Sequence, residues 1–324
     1  MLFRSQDDMS PVAVDRNLLV LEAARLYYEH NLNQAQIATK LEVSRPGVSR
    51  LLQEARDNGI VKIQIVDPSA SGTRLESALR EQYSLKHVVV VPSDPNESVI
   101  KSRLGSALIN LLDTMLIENT TLGVSWGSTL QAATEHLKPR SIDNMTVVQL
   151  NGGVSKAELD THASEIARRM GDNYLAIPYL LPLPAIVDTP ELKQAITSDR
   201  HIAKTLKLAR EADIAAFTIG AFGSKSVLVQ ADYFEEAEVQ ELIDQGAVAD
   251  ICSRLIKADG SICSPELDDR TIGIELNELQ AKPNSIAVAG GAEKAMAVKA
   301  GLAGGYFHSL ITDEDVAVTL LGED

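Results

Sequence analysis

Apolar and polar positions alternate with two different rhythms along this chain. Between Arg16 and His30 the residues Leu18, Leu21, Ala24, Tyr27 and Tyr28 return every three or four positions, which predicts an amphipathic helix. Met1 to Asp15, ahead of it, is polar and irregular and reads as an arm. Asn33 stands where an N-cap would open a short helix over Gln34 to Leu41. Ser44 would open a second helix, stopped by the pair Asn58-Gly59. Val61 to Val66 alternates as a short strand. Asp67-Pro68-Ser69-Ala70-Ser71-Gly72 is turn and linker chemistry, and a domain boundary is expected there.

Beyond the boundary, Arg74 to Tyr83 is amphipathic through Leu75, Ala78, Leu79 and Tyr83. Then apolar runs that end in small or polar residues alternate with helix-like stretches. The runs are His87–Val91, Leu122–Ser125, Thr146–Leu150, Ile214–Ile219, Ser285–Ala289 and Ser309–Thr312. Buried parallel strands joined by crossover helices give that rhythm. The expected class is α/β. A winged helix-turn-helix occupies 1–66, a linker and amphipathic helix 67–85, and a Rossmann-like effector domain 86–324. No internal repeat or low-complexity tract interrupts this order.

Composition agrees: 45% of residues are hydrophobic and only 4% aromatic, as in an α/β body built from Ala, Val, Ile and Leu. The longest apolar candidate for a membrane span, Leu175 to Val187, is broken by Pro178, Pro182 and Pro184. The first residues carry charge and no apolar signal core, so the chain reads as cytoplasmic. Cys252 and Cys263 are too few for a disulfide framework and lack the companions of a metal site. The net charge of −15 would discourage nucleic acid if it were evenly spread. It is not. Up to Ile65 there are eight Lys/Arg and eight Asp/Glu, leaving 22 basic against 37 acidic residues for the remainder. A neutral N-terminal segment on an acidic body permits specific DNA binding while weakening non-specific contact.

Gln34 to Leu52 carries the spacing of a helix-turn-helix. Ile37, Leu41, Val43, Val48 and Leu51 are apolar where two short helices must pack, and Ala38 is small where they cross. Ser44 begins the second helix, so Arg45, Gly47, Ser49 and Arg50 fall in its early turns, where a recognition helix meets bases. Arg45 and Arg50 suit guanine edges or phosphates, and Ser44 suits a phosphate. With Gln34 these form the expected DNA-facing set. Glu42 takes the turn position where glycine is common, so the turn must accept a side chain. A helical hairpin without any ligand would show the same apolar spacing; the following strand and linker favour a regulator.

Gly123-Val124-Ser125-Trp126-Gly127-Ser128-Thr129 follows a strand and precedes a helical stretch. Glycines admit an anion to the backbone, while free N–H groups and the Ser125, Ser128 and Thr129 hydroxyls can hold it. A plain tight turn would look similar. Comparable loops recur at Gln149-Leu150-Asn151-Gly152-Gly153, Gly220-Ala221-Phe222-Gly223 and Gly290-Gly291-Ala292-Glu293-Lys294. In an open parallel sheet such loops share the side where ligands settle. Gln149 and Asn151 can read sugar hydroxyls, and Lys294 can reach a phosphate or stay solvated. Asp268-Asp269-Arg270 is a charged cluster in an expected loop; two carboxylates can serve a metal, but without further ligands they read as solvated or paired with the nearby arginine. His162, His201 and His308 suggest no triad. Neither a metal nor a cofactor is expected.

The pattern Tyr27-Tyr28…Gln34-Ala35-Gln36-Ile37-Ala38…Ser44-Arg45…Val48-Ser49-Arg50-Leu51-Leu52 resembles the SorC family of sugar-metabolism regulators. The likeness continues through Gly123–Gly127, Val148–Gly153, Leu181-Pro182-Leu183-Pro184 and Val288–Gly291, and so covers nearly the whole chain. Within the family it is most similar to deoxyribonucleoside-operon regulators, through Asp199–Ile202, Asp250–Arg254 and Asp269–Gly273. The resemblance implies a sugar-phosphate isomerase-like effector domain, a phosphorylated sugar as effector, a homo-oligomer and a repressor released by effector. It also implies an effector pocket from Gly123, Ser125, Gly127, Ser128, Thr129, Gln149, Asn151, Gly152, Gly153, Gly220 and Lys294. In that branch the Asn151 position can be lysine, whose amine can form an imine with an aldose; an amide cannot. The rival reading is a working isomerase or deaminase with a DNA-binding appendage. Related deaminases resemble a pattern with Asp-Gly-His after a central strand. Here Gly220–Gly223 offers no titratable group. Arg74–Tyr83 is the expected transmitter of the effector signal to the DNA-reading segment.

Overall fold

The computed structural model describes residues 11–30, 32–61, 71–156, 159–160 and 162–322. The chain divides into two compact units, Met1–Asp67 and Pro68–Asp324. In the first, α1 (Pro11–Tyr28), α2 (Gln34–Lys40) and α3 (Arg45–Asp57) enclose a core of Val20, Ala23, Leu26, Ile37, Val48, Leu51, Leu52 and Ala55. Helix α1 opens at Pro11, five residues before the apolar periodicity begins. A proline suits a first helical turn, whose N–H groups have no intrahelical acceptor.

Asn33 caps α2: its side chain accepts from the N–H groups of Ala35 and Gln36, while its own N–H donates to the Gln36 side chain. Ser44 caps α3 by accepting from the Gly47 N–H at 3.2 Å, with Pro46 in the first turn. Glu42 adopts a left-handed backbone, φ +54°, so the turn does take a side chain where glycine would relieve strain. Past α3, Gly59 turns the chain at φ +71°. The expected wing strand, Val61–Val66, lies outside the described residues apart from Val61.

The second unit is built on one nine-stranded sheet. Its strands are β1 (His87–Val91), β2 (Thr121–Val124), β3 (Thr146–Gln149), β6 (Ile177–Tyr179), β7 (Ile214–Ala221), β8 (Ala247–Ile251), β9 (Arg254–Lys257), β10 (Asn284–Val288) and β11 (Ser309–Asp313). The order β1-β11-β10-β7-β2-β3-β6 is parallel throughout; β8 runs antiparallel to β7 and to β9. β4 (Ser155–Lys156) and β5 (Leu159–Asp160) form a separate small pair.

Period-two alternation sends neighbouring side chains to opposite layers. Val147, Ala216, Ile286 and Ile311 meet α5 (Glu97–Met115), α6 (Ser128–Thr134) and α7 (Ala163–Tyr174). Val148, Ala215, Phe217, Ala287 and Leu310 meet α4 (Ser71–Tyr83) and the helices Arg200–Glu211, Ala295–Ala303 and Glu314–Leu321. The α/β class with a parallel sheet follows from this two-sided burial.

Three expectations change. Helix α4 is no bare connector: Leu75 and Leu79 are fully buried against β1 and Glu314–Leu321, so it belongs to the second unit's core. Strand β7 runs on through Gly220 and Ala221, because β8 pairs with it there, so half of the expected loop is strand. The strands β6, β8 and β9 went unread: β6 has three residues and a proline, and β8 and β9 are interrupted by Asp250 and Arg254. No described helix is long and apolar enough to cross a membrane.

Candidate functional site

Parallel strands deliver their carboxyl ends to one side of the sheet, and a cavity of about 770 Å³ opens there. Its floor is the chain leaving β2. Ser125 is buried and its N–H donates to the Ala216 carbonyl at 3.0 Å. Gly127, at φ +128°, must be glycine: a Cβ would lie 2.9 Å from the Thr218 hydroxyl oxygen, which donates to the Trp126 carbonyl. The glycine opens α6 without a capping side chain. On the opposite wall Gly220 makes room for Asp250: a Cβ there would stand 2.3 Å from Asp250 Oδ1 and push the carboxyl aside.

Of the expected effector residues, Gly127, Ser128, Thr129, Gly220 and Lys294 line this cavity. Gly123 and Ser125 lie buried beside it, Gly123 because Leu150 packs onto its α-carbon. Gln149 and Gly153 line a different cavity of about 690 Å³, with His162, Arg168, Leu181–Pro184 and Tyr233. There the loop is tied to its own fold. The Gln149 amide donates to the carbonyls of Asn151 and Leu181 and accepts from the Leu181 N–H. Asn151 Nδ2 donates to Ser253 Oγ at 3.0 Å, and its buried Oδ1 has no partner. The Gly152 N–H donates to the Ile272 carbonyl, and the Gly152 carbonyl accepts from the Trp126 indole at 2.9 Å.

Sequence reasoning missed the cations and the acid that complete the first cavity. Lys101 enters from α5 and Lys225 from the turn after β7, joining Lys294. Glu97 and Lys101 form an ion pair at 2.6 Å. Burial lowers the Lys294 pKa; Glu293, Glu97 and Asp313 oppose this, while Lys101 reinforces it. Asp250 reaches the cavity from β8. Burial raises its carboxyl to about 7, against the pull of the Ser253 N–H and of Lys294. Neither lysine carries a local signal: Lys101 lies within α5 and Lys225 in the turn after β7, and only the strand order brings them together. Asp250 sits on an antiparallel strand and carries none.

Other candidates prove structural. Arg254 is buried and donates to the Ile274 carbonyl at 2.8 Å while pairing with Asp268; this acid lies in the short helix Pro265–Arg270 rather than in a loop, and its partner is Arg254 and not the neighbouring Arg270. Among the described residues no group of three or more His, Cys, Asp or Glu is placed to hold a metal. Both cysteines are buried, and burial raises both thiols.

In the first unit, Ser44, Arg45, Ser49 and Arg50 are exposed and Gln34 and Gly47 half-buried. Arg16 is held by Glu54 at 2.8 Å, and Arg56 by Gln53 and Tyr28. Arg45 and Arg50 have no ion-pair or hydrogen-bond partner among the described residues.

Residues 67–322 match Sugar-bind, a sugar-binding domain family. The chain is 37% identical over 311 residues to the deoxyribonucleoside regulator of Bacillus subtilis (strain 168), covering 95% of this chain and 99% of that one. It is 30% identical to the sorbitol operon regulator of Klebsiella pneumoniae, over 94% and 97% of the two chains. The crystal structure of the full-length sorbitol operon regulator SorC from Klebsiella pneumoniae superposes with a TM-score of 0.72 at 28% identity, over 95% and 99%.

Proposed function

We propose that this chain, which belongs to the SorC family of sugar-binding transcriptional regulators, binds operator DNA through Met1–Asp67 and a phosphorylated sugar in the 770 Å³ cavity of Pro68–Asp324. One observation carries the ligand reading. Lys101, Lys225 and Lys294 converge with the Ser128 and Thr129 hydroxyls on a polar cavity at the strand ends. Lysines and hydroxyls hold a phosphate, while Asp250 Oδ1, above Gly220, accepts from a sugar hydroxyl. Gln149, Asn151, Gly152 and Gly153 then support the pocket by fixing its rear wall.

On the DNA side, α2 and α3 act as a helix-turn-helix. Arg45 and Arg50, without a partner among the described residues, read guanine or grip phosphate, and Ser44, Ser49, Gln34 and the Gly47 backbone position the helix. The protein works as a cytoplasmic homo-oligomeric repressor of a sugar or deoxyribonucleoside operon, released by its effector. The deoxyribonucleoside regulator among its relatives makes a pentose phosphate the first effector class to try.

A thermal-shift series of sugar phosphates against their parent sugars and nucleosides tests the ligand. At about one hundred times its dissociation constant a true effector adds about 2.7 kcal/mol of stability. Equal shifts for sugar and phosphate would remove the phosphate requirement. For DNA, the Arg45→Ala/Arg50→Ala double variant is expected to lose specific operator binding in a gel-shift assay. The enzyme alternative gains one point from Asp250, a carboxyl poised near neutrality in a sugar cavity. Purified protein is nonetheless expected to leave pentose and hexose phosphates unconverted.

A further inference from the structure

The cavity that is to hold a phosphate has a charge problem. Five acids and three lysines line it; Asp94 is paired with Arg103 at 3.3 Å and burial raises the Asp250 carboxyl to about 7, which leaves Glu97, Glu293 and Asp315 to face Lys101, Lys225 and Lys294. A dianion entering such a cavity meets lysines already balanced by acids unless one of those acids gives way. Glu97 is the acid placed to do so. It lies at the first position of α5, is mostly exposed, and holds Lys101 at 2.6 Å across one helical turn. It is also within electrostatic range of Lys294 and Lys225, and the lysines together hold its carboxyl below the ordinary range. Lys225 and Lys294 have no ion pair among the described residues; Glu293 acts most strongly on Lys294, whereas Glu97 bonds Lys101 and feels all three lysines.

We infer that Glu97 is the resident counter-ion of the lysine cluster: it occupies, in the effector-free protein, the electrostatic place of the effector's phosphate, and so sets effector affinity. This rests on the phosphate reading of the cavity. Binding of a phosphorylated ligand takes Lys101 away from Glu97, and the carboxylate swings toward solvent at the exposed start of α5. A neutral ligand makes no such demand. The acid therefore acts on phosphorylated ligands and leaves parent sugars untouched, which separates this role from general support of the pocket.

The test is calorimetric titration of full-length protein and of the Glu97→Gln and Lys101→Met variants, using deoxyribose 5-phosphate, ribose 5-phosphate, inorganic phosphate and the parent sugars. Melting curves check that each variant folds. Glu97→Gln is expected to bind phosphorylated ligands and inorganic phosphate about three- to tenfold more tightly, the scale of one partly exposed ion pair. Binding of unphosphorylated sugars should not change. In a Lys101→Met background most of the Glu97→Gln gain should vanish. Unchanged or weaker phosphate binding by Glu97→Gln, with normal melting, overturns the counter-ion role; so does a gain of the same size for unphosphorylated sugars. Failure of the wild-type protein to bind any phosphorylated sugar would instead overturn the underlying phosphate reading. In that case tighter binding of inorganic phosphate by Glu97→Gln would still show the acid guarding the lysines.

Discussion

Two loops with nearly the same signature behave in opposite ways. The loop after β2, Ser125 to Thr129, and the loop after β3, Leu150 to Gly153, both leave parallel strands and both carry paired small residues and polar side chains. In the first, glycine clears the way: Gly127 takes a backbone that a side chain would strain, and Ser128 and Thr129 face a cavity. In the second, the Gln149 and Asn151 side chains are bonded to the protein's own chain, with only Asn151 Oδ1 left without a partner among the described residues. A Gly-rich strand end says that backbone comes close to something. Whether that something is a ligand or the protein's own chain depends on what the neighbouring segments have already satisfied.

The contrast can be broken most directly at Gly152. Its missing side chain leaves room for backbone: a Cβ would stand 2.3 Å from the Pro184 carbonyl oxygen. Gly152→Ala is expected to cost about 2–3 kcal/mol in chemical denaturation, the usual scale of overpacking where neither backbone can retreat. A loss below about 0.5 kcal/mol would mean the second loop is free to move. The matching change on the cavity side is Lys294→Ala. Removing a charge-assisted bond to phosphate should weaken effector binding about 10- to 100-fold while the melting temperature holds or rises, because a desolvated cation is gone. An unchanged affinity would detach Lys294 from the ligand.

Asp250 sharpens the comparison through pH. Its carboxyl ionises near 3.8 in an unfolded chain and at about 7 in the fold. Between those values the unfolded state binds fewer protons, so this group's contribution to stability falls as pH rises and is fully unfavourable above about 7. Asp250→Asn should therefore raise the melting temperature more at pH 8 than at pH 5; equal gains would place the carboxyl in water. The smallest effect belongs to Asn151→Ala. It loses the bond to Ser253 but removes a buried carbonyl with no partner, so stability should change by less than about 1 kcal/mol in denaturant titrations. A loss of several kcal/mol would show that Oδ1 is satisfied by ordered water.

Local chemistry was the legible part of the sequence. Asn33 and Ser44 announce their helices because a cap is decided by residues three apart, and β1 is read to the residue because its run of four valines, three of them buried, suits a strand. Half the candidate site was legible for the same reason: Ser128, Thr129 and Gly127 are contiguous. Lys101, Lys225 and Asp250 were not, since they arrive from separate elements and are joined only by strand order. The antiparallel pairing of β8 to β7 carries Asp250 over Gly220, and neither segment signals that meeting on its own. Gln149 and Asn151 show why side chains suited to a sugar hydroxyl are hard to read: they are equally suited to a polar group of the chain itself, and here they bond the Asn151 and Leu181 backbone and the Ser253 hydroxyl.

The chain's one tryptophan, Trp126, stands in the cavity wall, 6% exposed, with its indole nitrogen bonded across to the second loop. Its ultraviolet emission is thus a single-site optical signal: light absorbed at the indole edge reports on one wall of one pocket, with no label attached. Occupancy of the cavity and slackening of the second loop would both alter its spectrum, so the protein carries its own gauge for the two loops set against each other above.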